Sequence, residues 1–299
     1  MSIVVVGSIA FDTIETPEGR AAEVMGGSAT YFAVAASYFA PVKLVAVVGE
    51  DFPDHERSFL AGRGVDLAGV EVRGGRTFRW AGRYHEDMNV RDTVEVQLNV
   101  FGEFQPVLPA AYRDAQYIFL ANIHPGLQGD VLDQLTQPRL IACDTMNHWI
   151  EGAWSDLGRL LARVQLLVIN DEEARMLSRE RNIVRAARRI LEMGPESVII
   201  KRGEYGAFYV GPDTVFTVPA YPLEAVVDPT GAGDTFGGGL MGYLAASGDL
   251  SPAGVHKGIV YGIVLASYTV EAFGIDRLRR LGREEIDDRY RKFVKMTRF

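Results

Sequence analysis

Val227-Asp228-Pro229-Thr230-Gly231-Ala232-Gly233-Asp234-Thr235-Phe236-Gly237-Gly238-Gly239 is the stretch on which the reading of this 299-residue chain turns. It follows a short apolar run ending in Val226-Val227 and leads into a pattern with Phe236, Leu240, Tyr243 and Leu244 on one helical face. The expected unit is a strand, a glycine hinge and a helix N-terminus. Gly231 and Gly233 lack a Cβ, so the backbone there can turn sharply and come close to a ligand. The first amides of a helix have no partner inside it, and the helix dipole adds about half a positive charge at that end. Such an end is suited to a phosphate. Asp234, placed inside it, is stabilised as an anion and can take a proton from a bound hydroxyl. Taken alone, the same residues also suit a plain strand-to-helix turn with an acid in its first helical turn.

Two other phosphate motifs are excluded. No G-x-x-x-x-G-K-[ST] occurs, so there is no P-loop. Gly231-x-Gly233 is followed three residues later by Phe236, near the C-terminus, which does not fit a dinucleotide-binding turn. The string as a whole resembles the D-x-x-G-A-G-D motif of the ribokinase (pfkB carbohydrate kinase) family. That resemblance implies transfer of the ATP γ-phosphoryl group to a substrate hydroxyl. Asp234 would be the base, and the Gly231, Ala232 and Gly233 amides would stabilise the transferring group. The implied fold is α/β and ribokinase-like, a central, mainly parallel sheet with helices on both faces plus a small β-sheet lid. One domain is expected over residues 1–299, with the lid drawn from about 11–24 and 70–104.

Further motifs follow in the family's order. Ile3-Val4-Val5-Val6 reads as a strand covered on both faces, and it leads to Asp12. By itself Asp12 is equally a turn or capping aspartate. The resemblance makes it a holder of substrate hydroxyls, with Gly26-Gly27 at a helix N-terminus beneath the substrate. Family members commonly carry an asparagine four residues after the second glycine, where this chain has Tyr31. Apolar strands then end in polar residues at Asn122 and Asp144, and Asn122 is assigned to the substrate. Asn170-Asp171-Glu172-Glu173 resembles an N-x-x-E motif, which implies Mg²⁺ held by Glu173 through water beside the ATP phosphates. Without the resemblance it is a helix start rich in acids. Lys201, Gly203 and Gly206 match the segment that lines the ATP site, and Val255, His256 and Tyr261 are weaker candidates for the base pocket. Asp228 and Thr230 correspond to positions that help hold a monovalent cation, here K⁺.

Between residues 70 and 104 the pattern changes. Thr77–Tyr84 and Thr93–Val100 are strand-like with no helix between them, which predicts an antiparallel hairpin. Arg79, Arg83 and His85 on it suit either a solvated face or the substrate. Composition sets outer limits. A hydrophobic content of 47% supports a sizeable core. The net charge of −8 argues against nucleic acid or an anionic membrane as partner. No apolar run reaches the length of a membrane span, and no signal-like segment opens the sequence, so a cytoplasmic location is expected. The lone Cys143 sits in an apolar run and reads as a buried, inert thiol. The expected partners are ATP, a small-molecule acceptor and a second copy of the chain through the β lid. A sugar or sugar-like polyol is the first acceptor, with a nucleoside or a cyclitol as the alternatives. A non-catalytic nucleotide sensor is disfavoured, since it would not need Asp234.

Overall fold

In the computed structural model, which describes residues 1–298, the strand Ile3–Val6 (β1) lies at the heart of a nine-stranded sheet. Its side chains alternate between two cores. Ile3 and Val5 join one, Val4 and Val6 the other, and all four are fully buried. A strand covered on both faces must be apolar throughout, which is why no polar position interrupts it.

The remaining strands are β2 (Ala10–Thr16), β3 (Gly19–Gly26), β4 (Val42–Gly49), β5 (Val65–Arg73), β6 (Phe78–Tyr84) and β7 (Arg91–Gln97). They continue with β8 (Tyr117–Leu120), β9 (Leu140–Cys143), β10 (Leu166–Asn170), β11 (Ser197–Lys201), β12 (Ala207–Val210) and β13 (Val215–Val218). The large sheet runs β13-β12-β11-β10-β9-β8-β1-β4-β5. All its pairs from β11 to β5 are parallel, and β12 and β13 close one edge as an antiparallel hairpin. A parallel arrangement gathers the carboxyl ends of β8, β9, β10 and β11 along one rim, where open α/β sheets bind ligands.

The lid is a separate four-stranded sheet in the order β3-β2-β6-β7. It is narrower than the sequence pattern indicated. Residues 70–73 belong to β5, which pairs in parallel with β4 in the main sheet. The polar outer positions of an edge strand made it look like part of the hairpin. Arg79 anchors the lid's base, pairing with Glu23 at 2.7 Å and with Asp51 at 2.8 Å. Asp51 Oδ1 accepts from both the amide and the hydroxyl of Thr77 at 2.7 Å.

The helix Ala232–Ser247 packs against Ser28–Ala36 through glycines. A Cβ on Gly238 would run into the Phe32 carbonyl and come within 2.8 Å of the Ala35 methyl, and one on Gly242 would reach Ala36 at 3.1 Å. The contact order, Tyr31 to Gly231, Phe32 to Gly238 and Ala36 to Gly242, shows the two helices running in the same direction. Their N-termini therefore lie side by side. Gly238→Ala should destabilise the protein by about 1–3 kcal/mol through overpacking. Gly129→Ala, a helical site with nothing within 4 Å of the new methyl, should be neutral or slightly stabilising. Urea unfolding of the two variants checks the difference.

Candidate active site

Gly231 caps the N-terminus of Ala232–Ser247 in the left-handed region, with φ 73° and ψ 0°. Two things enforce glycine there. The dihedral disfavours any side chain, and a Cβ would be driven into the face of the Tyr31 ring. The Ala232 amide is taken by the Pro229 carbonyl at 3.2 Å, so the open donors of the turn centre on Gly233. A Cβ on Gly233 would sit 2.8 Å from Lys201 Nζ. The ammonium at the end of β11 thus lies directly over the helix N-terminus. Asp234 follows in the first helical turn, and burial pushes its carboxyl up to about 6, against the opposing pull of Lys201 and Arg91.

Asp12 arrives on the lid. It lies inside β2, opposite Val24 of β3 and Trp80 of β6, rather than in the loop beyond β1. Its carboxylate fills the space where a Gly26 side chain would be, beside the Gly27 turn. Gly27 adopts φ 93°, and its missing Cβ leaves room for the Ser8 carbonyl. Burial pushes Asp12 up to about 7, with Asp228 and Asp234 adding repulsion. Asp228 is fully buried, accepting from the Thr230 amide at 2.8 Å and from the Gly274 amide at 2.9 Å. Thr230 Oγ1 donates to the Tyr84 hydroxyl at 3.1 Å, which ties the turn to the lid. Tyr31 is 1% exposed, and its hydroxyl has no partner although Asp12, Asp228 and Asp234 surround it electrostatically.

Along the rim, Asn170 and Glu173 form a capping box. Asn170 Oδ1 accepts from the Glu173 amide and Glu173 Oε2 from the Asn170 amide, both at 2.8 Å. This fixes the Glu173 carboxylate and leaves Oε1 free. Next to it stands Asp144, a residue the sequence showed only as the polar end of a strand. Asp144 is 7% exposed, its Oδ1 has no partner, and burial with the Asp234 charge pushes it well above the usual carboxylate range. The donor set fits Mg²⁺, which takes one or two carboxylates and completes its shell with water and phosphate oxygens. Among the described residues no cluster of three or more His, Cys, Asp or Glu side chains could hold a metal by itself.

The other candidates have contacts of their own. The Asn122 amide is engaged by Trp149 Nε1 at 2.8 Å and reaches Met146 Sδ at 3.1 Å. Gly203, with φ 52°, lies under the Asn89 side chain at the lid's tip, and Gly206 passes close to the Val218 carbonyl. Arg79 is held at the lid's base, Arg83 pairs with Glu15 and His85 with Asp92. His256 stacks on Phe216 at 4.1 Å, and Tyr261 stacks on Tyr290 at 4.2 Å. Cys143 is buried on β9, and burial pushes its thiol up.

Comparison with known proteins gives this geometry its class. The model of the pfkB family of carbohydrate kinases matches residues 1–274, and the chain belongs to that family. It is a phosphotransferase with an alcohol group as acceptor, and its fold is that of the ribokinases. Cytidine kinase of Thermococcus kodakarensis is 34% identical over 251 residues, covering 81% of this chain and 88% of that protein. A putative ribokinase II of E. coli, solved with ATP and Mg²⁺, superposes with a TM-score of 0.80 at 21% identity, over 97% of this chain and 99% of that one. The nucleoside kinase of Methanocaldococcus jannaschii gives 0.77 at 20% identity, over 97% and 98%. Among the described residues no helix is long and apolar enough to cross a membrane.

Asp234 acting as a general base would work only when ionised, so its pKa would set the acid limb of the rate. The kcat/KM should fall as pH drops below about 6. Asp234→Asn should lose about 10²–10⁴ in kcat while still binding nucleotide. A pH–rate profile and ATP titration of the folded variant check both.

Proposed function

We propose that this enzyme is an ATP- and Mg²⁺-dependent nucleoside kinase that phosphorylates a ribose hydroxyl of a pyrimidine nucleoside, with cytidine the first to try. The observation that carries this reading is the 34% identity to a cytidine kinase across 88% of that protein's length. The acceptor end supports it. Asp12, buried beside the Gly26-Gly27 turn, can accept from two neighbouring hydroxyls, and the unpartnered Tyr31 hydroxyl is free to bond another. A sugar or polyol remains the second reading, since the family as a whole is one of carbohydrate kinases.

In the reaction the acceptor hydroxyl gives its proton to Asp234 as its oxygen bonds the γ-phosphorus. The bond from that phosphorus to the bridging oxygen breaks, and ADP leaves with the electron pair. The Gly231 and Gly233 amides and Lys201 stabilise the charge on the transferring group. Glu173 Oε1 and Asp144 Oδ1 would hold Mg²⁺, which when bound neutralises phosphate charge. Asp228 and Thr230 would contribute to a K⁺ site.

Asn122, Gly203 and Gly206 are assigned to the rims of the acceptor and ATP sites. Residues 1–299 act as one kinase domain. The lid edge offers a dimer contact. β7 is an edge strand with Val94 62% and Val96 51% exposed, a surface that invites pairing. Val94→Lys with Val96→Lys should convert a dimer to a monomer in light scattering, and a monomeric wild-type protein would remove this part.

ADP release should be faster with cytidine than with ribose, deoxyribose or inositol, by about 10²-fold in kcat/KM, because a site built for a base and its sugar loses contacts with either alone. Asp12→Ala should lower kcat/KM for cytidine and leave KM for ATP nearly unchanged. Chelation of Mg²⁺ should abolish turnover, and replacing K⁺ by Na⁺ should slow it. A preference for ribose or inositol over every nucleoside would overturn the acceptor assignment and leave the kinase class intact.

A further inference from the structure

Gln128 lies in the helix Pro125–Leu132, which follows β8. It is 1% exposed, and no step of the reaction uses it. Its Nε2 donates to the Leu120 carbonyl at 3.0 Å, the Ala121 carbonyl at 3.1 Å and the Asp144 carbonyl at 3.3 Å. One amide group thus gathers the carboxyl ends of β8 and β9. Its Oε1 has no partner. Burying an idle carbonyl is destabilising, and methionine or leucine would fill the same space without it. The position therefore requires the donors.

Asp144 is the residue these bonds hold. Its amide donates to the Leu120 carbonyl at 3.1 Å, and its own carbonyl accepts from Gln128. With the peptide planes on both sides fixed, the residue's two soft dihedrals are fixed, and so is the direction of its side chain. That side chain ends in an unpartnered Oδ1. Two neighbours repeat the pattern: Thr145 is 5% exposed with an unpartnered hydroxyl, and Asn147 has an unpartnered buried Oδ1. The far end of this loop is tied down separately, by Trp149 Nε1 on Asn122 at 2.8 Å. Three idle buried polar atoms within four residues are costly to fold. They suit a segment that is completed by a bound group, and Gln128 holds its first residue in place.

We propose that Gln128 is a positioning residue: by holding the Asp144 carbonyl against the end of β8, it fixes the aim of the Asp144 carboxylate for Mg²⁺. It touches neither metal nor nucleotide and acts only through Asp144. Without its donors the peptide after Asp144 is free to rotate, and the carboxylate turns with it. Mg²⁺ demands near-ideal octahedral geometry, so a displaced ligand is poorly tolerated. Loss of a group that orients a metal ligand typically lowers affinity about 10–100-fold. The assignment rests on Asp144 as a Mg²⁺ ligand and is independent of which alcohol is the acceptor.

Metal binding at equilibrium tests it. Mn²⁺, a paramagnetic stand-in for Mg²⁺, is titrated by electron spin resonance into enzyme saturated with ADP. Gln128→Met keeps the volume and removes the donors. It should bind Mn²⁺ about 10–100-fold more weakly, with metal-free ADP affinity within about 3-fold of wild type. Asp144→Asn should show a similar loss, and adding Gln128→Met to it should cost less than about 3-fold more, because both act on one ligand. Additive losses, or equal weakening of metal-free ADP binding, would overturn the proposal. The unmutated enzyme gives a second reading that needs no variant to fold. The Gln128 side-chain amide protons should be protected from exchange and shift in NMR when Mg²⁺ is added to the ADP complex; unprotected protons that do not shift would overturn the proposal as well. Wild-type Mn²⁺ affinity in Gln128→Met with a loss in Asp144→Asn would overturn the role of Gln128 and leave Asp144 as a ligand. Wild-type affinity in both would remove Asp144 too.

Discussion

The structure depends on how closely two helix backbones can approach. Ser28–Ala36 and Ala232–Ser247 meet where Gly237, Gly238 and Gly242 leave out side chains, so Phe32, Ala35 and Ala36 lie against bare backbone. Because the helices run in the same direction, this contact sets the Gly27 and Gly231 turns beside each other. Tyr31, one turn into the first helix, then covers the glycine that caps the second. The Gly27 and Gly231 turns are thus one packed unit. Larger side chains in the seam would separate the two helix N-termini and with them the groups that must react.

The second determinant is electrostatic. Asp12, Asp144, Glu173 and Asp228 are buried around this point and Asp234 is half-buried among them, and desolvation raises every one of them. Backbone amides satisfy Asp228 and partly satisfy Glu173, while Lys201 and Arg91 are the cations that oppose the shifts. Ionised carboxylates concentrated in this way destabilise the fold. In the proposed reaction they would provide a base poised near neutrality and oxygens for a hydrated cation. The lid takes part directly, since it contributes Asp12, Tyr84 and Arg91 from three of its strands.

Much of this was legible in the chain itself. Continuous apolar runs such as Ile3–Val6 and Leu166–Ile169 mark strands covered on both faces, and their number implied a layered α/β sheet. The glycine string before Asp234 marked the helix start that anchors the site. Asn170 and Glu173 were legible only through the resemblance to an N-x-x-E motif; the capping box they form is local, since it needs only residues three apart. Residues 70–73 were misread because an edge strand of a parallel sheet, exposed on one side, alternates like a hairpin strand.

What the sequence determined by itself was therefore local: which runs are buried, where the backbone must turn without a side chain, and which helix end can receive an anion. These follow from periodicity, from the missing Cβ of glycine and from the unpaired amides of a helix start. The tertiary structure alone decided which charges meet. Asp144 is one more polar strand end until β9 is seated beside β10, and Arg91 is one more arginine of a solvated hairpin until the lid folds over the Gly231 turn. Tyr31 reads as an intruder in the acceptor pocket until its ring is found against Gly231. Such pairings join residues about 30 to 200 positions apart, and sequence patterns carry no distance information at that range.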